Sequence, residues 1–274
     1  MARRPFVAAF LALFLFSIPI ALQAVATKDA TAASLLQAAV SALTKGTNVT
    51  DVTLTGTATR TYGSDVQTGV VTLMALGGRA SSVSLELSGG SRTQTINQLQ
   101  AVPAGQHSGP DGTLHAMALH NCWGPADWFF PALAFAEALN DPSIALAYVG
   151  EETRDGIAVQ HVRFWRVVDS HGSNPRPLAL IAHGSAVDAY LNPANALPVT
   201  LDFNTHPHKN ALEDFAVEIQ FSDYQKMSGV VQPTQIEKLL NGRRVLDIYV
   251  SGVSLNTGIQ PSAFAISAVS GGQQ

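Results

Sequence analysis

Apolar and polar residues alternate through most of the last third of the chain, from Val187 to Phe264. This period of two predicts antiparallel strands with one face in water and the other face buried. Asn-Pro, Leu-Pro, Ser-Gly and Asn-Gly pairs interrupt the alternation and predict short turns between the strands. In one of these strands the residues predicted to be buried are Phe215, Val217, Ile219 and Phe221.

The chain before this block begins with a helical pattern. Residues 28–45 have apolar positions at helical spacing, with Asp29 or Thr31 available as the N-cap and Gly46 to end the helix. The period then changes to two, which predicts four strands joined by glycine-containing turns. These strands are 49–62, 66–76, 79–88 and 91–100, and a polar loop at 101–112 follows them.

The middle of the chain interrupts the strand pattern. Residues 125–139 predict a second helix that is apolar on all sides, with Pro131 in its first turn if Asp127 is the cap. Asp155-Gly156 then predicts a hairpin turn between two strands, and a loop rich in Ser, Gly, Asn and Pro follows. The strands are 144–154 and 157–168, and the loop is 170–177.

Together these elements predict a mainly β (α+β) fold. About ten strands are more than a flat open sheet accommodates, so we expect one strongly curved antiparallel sheet, an incomplete β-barrel. The two helices would cover its concave side. Gly252 interrupts the alternation of the last strand and is a candidate β-bulge. No linker separates folding units, so residues 27–274 are expected to form a single domain.

Residues 1–26 have the pattern of a secretory signal peptide. Arg3 and Arg4 precede an apolar stretch from Phe6 to Leu22, and Ala24-Val25-Ala26 matches a cleavage site. The sequence therefore predicts export through a Sec-type signal, with a periplasmic location in a Gram-negative organism and secretion otherwise. No cysteine lies near residue 26, so the pattern of a lipid-anchored protein is absent.

Charge and cysteine content narrow the possible partners. The full chain has a formal charge of −4, and few of its residues are charged. Without a basic run it lacks the electrostatic pattern of a nucleic-acid-binding protein. Cys122 is its single cysteine, so an exported chain would fold without an internal disulfide.

Motifs for catalysis are scarce. The chain has no G-x-S-x-G, H-E-x-x-H or Walker A motif, and we predict neither catalytic residues nor a cofactor. The pair His206 and His208, with carboxylates nearby, is the one pattern that suggests a metal, and it makes a metal-dependent hydrolase the third hypothesis. The nearby carboxylates are Asp202, Glu213 and Asp214.

An aromatic cluster distinguishes the second predicted helix and the residues before it. The functional interpretation is that this helix lines or covers a cavity for an apolar ligand, as in the mouths of curved barrels. The alternative is that the helix fills the barrel as ordinary core, in a domain that acts through its outer surface. The candidate ligand contacts are Trp123, Trp128, Phe129, Phe130 and Phe135.

The order of turns and strands over residues 185–266 resembles the LolA-like superfamily of exported lipoprotein and lipid carriers. The resemblance rests on a Tyr-x-Asn-Pro turn, an Asp-Tyr, Gly, Pro series across two strands, and a final Leu-Asn followed by Phe. The corresponding residues are Tyr190, Asn192 and Pro193, then Asp223, Tyr224, Gly229 and Pro233, and finally Leu255, Asn256 and Phe264.

The resemblance implies an incomplete antiparallel β-barrel with helices over its open side and a hydrophobic cavity that binds acyl chains without catalysis. It also implies a lipid or an acylated protein as the ligand, and transient membrane-associated partners. No ligand-binding residue beyond the aromatic cluster is assigned by this resemblance.

Overall fold

The computed structural model describes residues 26–154, 156–168 and 175–267, with the side chains of residues 175 and 176 excluded. The predicted signal peptide, apart from Ala26, lies outside these residues, as do Asp155 of the hairpin turn and residues 170–174 of the predicted loop. Among the described helices, none combines the length and apolar character needed to cross a membrane.

The described chain forms one antiparallel sheet. Its order, β6-β5-β4-β3-β2-β1-β13-β12-β11-β10-β9-β8-β7, joins two meanders through the pairing of the first strand with the last. The strands are β1 (Asp51–Tyr62), β2 (Asp65–Leu76), β3 (Ala80–Leu87), β4 (Gly90–Asn97), β5 (Ala104–Ser108), β6 (Leu114–Ala116), β7 (Ile144–Arg154), β8 (Ile157–Arg166), β9 (Val187–Leu191), β10 (Pro198–Thr205), β11 (Phe215–Met227), β12 (Val230–Leu240) and β13 (Arg243–Leu255).

Three α-helices accompany the sheet in the described part of the chain. They are α1 (Ala30–Thr44), α2 (Pro131–Asn140) and α3 (Pro175–Gly184), and short 3-10 helices span Leu119–Trp123 and Pro261–Phe264. The first helix confirms the predicted cap, because the Asp29 carboxylate accepts a hydrogen bond from the backbone N–H of Ala32 at 2.9 Å. Leu36, Ala39 and Leu43 on its apolar stripe are buried against α2 and the sheet.

The core lies between the helices α1 and α2 and the inner face of the sheet. In β11 the side chains of Val217, Ile219 and Phe221 are buried there, as the alternating pattern predicts. The predicted bulge is also present. The register between β1 and β13 shifts at Gly252, leaving one extra residue in β13. Because of this shift, Val253 and Leu255 pack against the same core as the residues before the bulge.

The prediction of about ten strands was wrong, since the described chain has thirteen. Two of the extra strands, β5 and β6, lie at one edge of the sheet, with β5 inside the predicted loop at 101–112 and β6 just after it. Their sequences, AGQHS and LHA, have little β-propensity. Backbone hydrogen bonds hold them in the sheet, since β5 pairs with β4 and β6 pairs with β5.

The prediction of two helices was also wrong, because α3 begins inside the predicted loop. The prolines at positions 175 and 177 obscured it, although the first turn of a helix tolerates proline because its N–H groups have no intrahelical partners. The second helix is shorter than the predicted 125–139. Pro131 does occupy its first turn, but Phe130 is the N-cap and Asp127 does not cap it.

Several residues that carry the family resemblance hold the sheet together. The Tyr224 hydroxyl donates to the carbonyl oxygen of Pro198 at 2.6 Å, which connects β11 to the start of β10. The Asn256 side chain accepts from the backbone N–H of Thr50 at 2.8 Å and donates to Asn48, which fixes the end of β13 beside the start of β1. Phe264 is fully buried. These residues therefore have structural roles in the described part of the chain.

Candidate ligand-binding cavity

The segment from the first 3-10 helix to the end of α2 is fixed at both ends. The buried Gln98 amide donates to the carbonyl oxygens of Cys122 at 2.9 Å and Gly124 at 2.7 Å. At the other end, the Lys28 ammonium group donates to the carbonyl oxygen of Ala138 at 2.9 Å, in the last turn of α2. A cation at this position also interacts favourably with the helix dipole. These contacts determine where the aromatic cluster lies.

The five predicted aromatic contacts occupy two environments. Phe129 and Phe135 are fully buried and Phe130 nearly so, and the Phe135 ring packs edge-on against Phe164 at 6.3 Å between centroids. Trp123 and Trp128 also line cavities. The cluster therefore contributes core packing through its phenylalanines and cavity walls through its tryptophans. Neither finding tests ligand binding, so the contacts remain a prediction.

The cavity beside Trp128 has a volume of about 230 Å³ and apolar walls from several strands. Ile96, Phe203 and Val217 contribute to these walls, together with Leu240. A wider, open cavity of about 710 Å³ shares Leu240 and Val245 with it, but most of its other lining residues are polar and exposed. Ligand sites in proteins commonly measure about 300–1,000 Å³. The cavity beside Trp128 is smaller than this range, so a chain-like ligand would extend from it into the adjoining open cavity.

Lys238 brings a positive charge into this apolar cavity. It follows Ile236 on the inner face of β12, and its ammonium nitrogen lies 4.8 Å from the centroid of the Trp128 ring. Within the described part of the chain the ammonium group has no salt bridge to a carboxylate. Burial lowers the pKa of Lys238 to about 8, because the apolar surroundings penalise the charged form.

Arg243 places a second cation near the same end of the sheet. It pairs in register with Leu240 and therefore lies on the same side of the sheet, and it lines the wider cavity. Unlike Lys238, it is exposed. The arrangement provides an apolar interior with cationic groups towards one end, which is complementary to an amphiphile with an anionic head.

Sequence reasoning missed Lys238, although a signal for it is present. The alternation in β12 places Lys238 in phase with Ile236 and Leu240, both of which face the core. Lys238 is half-buried there, and a lysine at an inward-facing position is unusual, since most lysines are exposed. The phase of the strand was therefore sufficient to single it out.

A buried acidic group lies on the other side of the Trp123–Trp128 segment. Asp127 is 1% exposed, and its Oδ2 atom has no hydrogen-bond partner among the described residues. Burial, with a smaller contribution from Glu137, raises the pKa of Asp127 to about 7. Burial and the charge of Asp141 also raise the pKa of Glu137 to about 7. Both carboxyl groups line a cavity of about 40 Å³.

Replacing Asp127 with asparagine is expected to stabilise the protein above pH 7. The pKa of this carboxyl is higher in the folded protein than in the unfolded chain. Its protonated form therefore contributes to the free energy of unfolding at low pH, and this contribution is lost as pH rises through about 7. The Asp127→Asn substitution removes that loss, by an amount on the order of 1–3 kcal/mol. Urea unfolding at pH 5 and pH 8 measures it. An equal effect at the two pH values would contradict the assignment, and Glu86→Gln at an exposed site is the control.

Comparisons with known proteins identify the fold. No protein-family model and no curated protein matches this sequence. Solved structures do match. A domain assigned to outer membrane lipoprotein sorting in Vibrio parahaemolyticus has a TM-score of 0.53 and 11% identity, covering 85% of this chain and 96% of that one. A LolA superfamily protein from Nitrosomonas europaea has a TM-score of 0.52 and 12% identity, covering 86% and 97%.

A DUF1329 family protein from Desulfovibrio piger matches with a TM-score of 0.50 and 13% identity, covering 87% of this chain and 98% of that chain. The chain therefore has a LolA-like fold, as the resemblance over residues 185–266 implied. At these identities the likeness establishes the fold alone.

Proposed function

We propose that this protein is an exported, non-enzymatic carrier that holds the acyl chain of a lipid or acylated protein in its hydrophobic cavity. The observation that supports this function is the apolar cavity beside Trp128, with Lys238 inside it. The walls bury methylene groups, each worth about 0.8 kcal/mol. The ammonium group favours a ligand whose head is anionic. Transient delivery to and from membrane-associated partners would accompany this role.

The alternative is an interaction domain whose barrel is filled by its own side chains. The complete burial of Phe129 and Phe135 favours it, because these rings occupy part of the space between α2 and the sheet. The two proposals differ in one measurable property. A carrier binds acyl chains saturably in its interior, whereas a filled barrel does not.

Binding of saturated fatty acids of increasing length to the purified chain lacking residues 1–26 tests the carrier proposal. Affinity is expected to rise about fourfold per added methylene and then reach a plateau once the cavity is full. Displacement of a fluorescent fatty acid measures affinity, and mass spectrometry of the purified protein detects lipid that was carried through purification. No saturable binding at any chain length would overturn the proposal and favour the filled barrel.

Filling the cavity provides a matched pair of variants. Leu240 is partly buried and lines both cavities, so Leu240→Trp is expected to weaken fatty-acid binding at least about tenfold. Leu212 is 82% exposed, so Leu212→Trp makes the same chemical change outside the cavities and is expected to leave binding unchanged. Circular dichroism confirms that both variants fold. Equal binding by the two would contradict the location of the site.

A further inference from the structure

Three side chains from separate elements converge beside the loop between β10 and β11. His183 lies in the last turn of α3, His206 directly follows β10, and Asp214 directly precedes β11. Asp214 Oδ1 is 2.8 Å from His183 Nε2 and 3.0 Å from His206 Nε2. The three atoms all lie within 4.8 Å of one another. They are two imidazole nitrogens and a carboxylate oxygen, a donor set suited to zinc.

The hydrogen bonds of Asn121 determine the tautomer of His206. The Asn121 amide nitrogen donates to the His206 carbonyl oxygen at 2.8 Å, and its oxygen accepts from the His206 backbone N–H at 2.9 Å. These two contacts fix which end of the amide is oxygen. The same oxygen lies 3.3 Å from His206 Nδ1, so Nδ1 carries the hydrogen. In the neutral ring the lone pair is therefore on Nε2, the atom that faces Asp214.

A lone pair and a carboxylate oxygen that face each other repel unless a proton or a metal ion lies between them, and a proton there would form a hydrogen bond. The His206 side chain is 2% exposed, and within the described residues its Nε2 atom makes no hydrogen bond despite its closeness to Asp214. This buried, unpartnered nitrogen is the second observation that indicates a ligand. In a cluster held only by hydrogen bonds, we would expect this nitrogen to have a partner.

We propose that His183, His206 and Asp214 form a zinc site. A tetrahedral zinc ion holds neighbouring ligand atoms about 3.3 Å apart, so the two distances from Asp214 to the imidazole nitrogens, 2.8 and 3.0 Å, would each lengthen by about half an ångström or less. Asn121 orients His206, and the Asn204 amide donates to Asp214 Oδ2 at 3.2 Å, so two of the ligands have outer partners. Because His183 and Asp214 are partly exposed, the ion has a path of entry and a fourth position for water.

The site differs from the metal pattern suggested by the sequence. His208 is exposed and does not belong to the cluster, and the Asp202 carboxylate instead binds Arg154 at 2.7 Å. His183 takes their place, and sequence reasoning missed it because it lies far from His206 in sequence and the helix that carries it was not predicted. Zinc at this position would tie α3 to the β10–β11 loop, beside the cavity wall formed by Asn121 and Asn204. The assignment does not depend on the proposed carrier function.

Zinc titration of the chelator-treated protein tests the site. We expect one zinc ion per chain by calorimetry and elemental analysis, and a melting temperature that rises with zinc concentration. His183→Ala and Asp214→Asn are expected to weaken zinc binding at least about tenfold, whereas His208→Ala is expected to leave it unchanged. His183 and Asp214 are partly exposed, so their variants are expected to fold, and circular dichroism checks this.

Each alternative outcome is decisive. Absence of stoichiometric zinc binding would overturn the proposal and leave Asp214 hydrogen-bonded to His183. Loss of zinc in His208→Ala, or its retention in His183→Ala, would also overturn it by moving the site elsewhere. If His183→Ala fails to fold, His183→Gln provides the same test with a side chain that retains hydrogen bonding. Cobalt substitution gives a further readout, since visible absorption reports coordination by imidazole nitrogen.

Discussion

Replacing Lys238 with methionine is expected to stabilise the protein at pH 7 and to weaken its binding of anionic amphiphiles. Methionine keeps the length and the apolar contacts of the side chain but removes the charge that the cavity desolvates. The lowered pKa of Lys238, about 8, corresponds to a gain on the order of 1–3 kcal/mol in the free energy of unfolding. Loss of a charged partner for the ligand head is expected to cost about tenfold to a hundredfold in affinity.

The pH dependence of this effect has a definite sign. The pKa of Lys238 is lower in the folded protein than in the unfolded chain, so the full penalty of its charge applies below pH 8. As pH rises from about 8 to about 10, the folded protein releases the proton while the unfolded chain keeps it, and wild-type stability rises relative to the variant. The stabilising effect of Lys238→Met is therefore expected to decrease over that range.

Urea unfolding and fatty-acid displacement measure the two effects, and Lys226→Met is the matched control. Lys226 is exposed on β11, so the same change of charge there is expected to alter neither stability nor binding by much. A long-chain alcohol provides the second control, because it lacks the anionic head and should bind Lys238→Met at least as well as wild type. Equal weakening for acid and alcohol would show that Lys238 does not recognise the head group.

Replacing Phe135 with alanine is expected to lower the free energy of unfolding by about 3–5 kcal/mol. Phe135 is fully buried in α2, and its ring packs edge-on against Phe164 of β8. The substitution removes this aromatic contact and leaves a cavity in the centre of the core. Because α2 connects the cavity-lining segment to the sheet through such contacts, the loss should affect the whole fold.

The midpoint of urea unfolding measures this loss, with Leu212→Ala as the control. Leu212 is 82% exposed, so its truncation is expected to change stability by less than about 0.5 kcal/mol. A cost below about 1 kcal/mol for Phe135→Ala would contradict the core assignment. In that case the interpretation of Phe135 as a contact for a removable ligand would gain support.

The parts of the fold that are determined by interactions between residues close in sequence were predictable. The alternation in β11 reflects a strand with one buried face, and Asp29 caps α1 through a contact only three residues along the chain. The Asp-Gly pair between β7 and β8 indicated their hairpin, and the observed register pairs Arg154 with Ile157. Periodicity, caps and tight turns are local properties, and each is visible in a short window of sequence.

Those parts that depend on distant contacts were not predictable. The strand β5 forms because β4 supplies its hydrogen bonds, and the Trp123–Trp128 segment is held by Gln98, more than twenty residues earlier. The helix α3 was hidden by prolines that its first turn accommodates. In each case a tertiary contact or the position within an element overrides the local preference.

The same division holds for the two sites. The sequence by itself determined that an aromatic segment accompanies a curved sheet, and the phase of β12 held a signal for Lys238 that the prediction did not use. Only the tertiary structure brought Lys238 against Trp128, and His183 and His206 against Asp214. The physical reason is that side chains become neighbours through the pairing and curvature of strands, which depend on the summed burial and hydrogen bonding of the whole sheet.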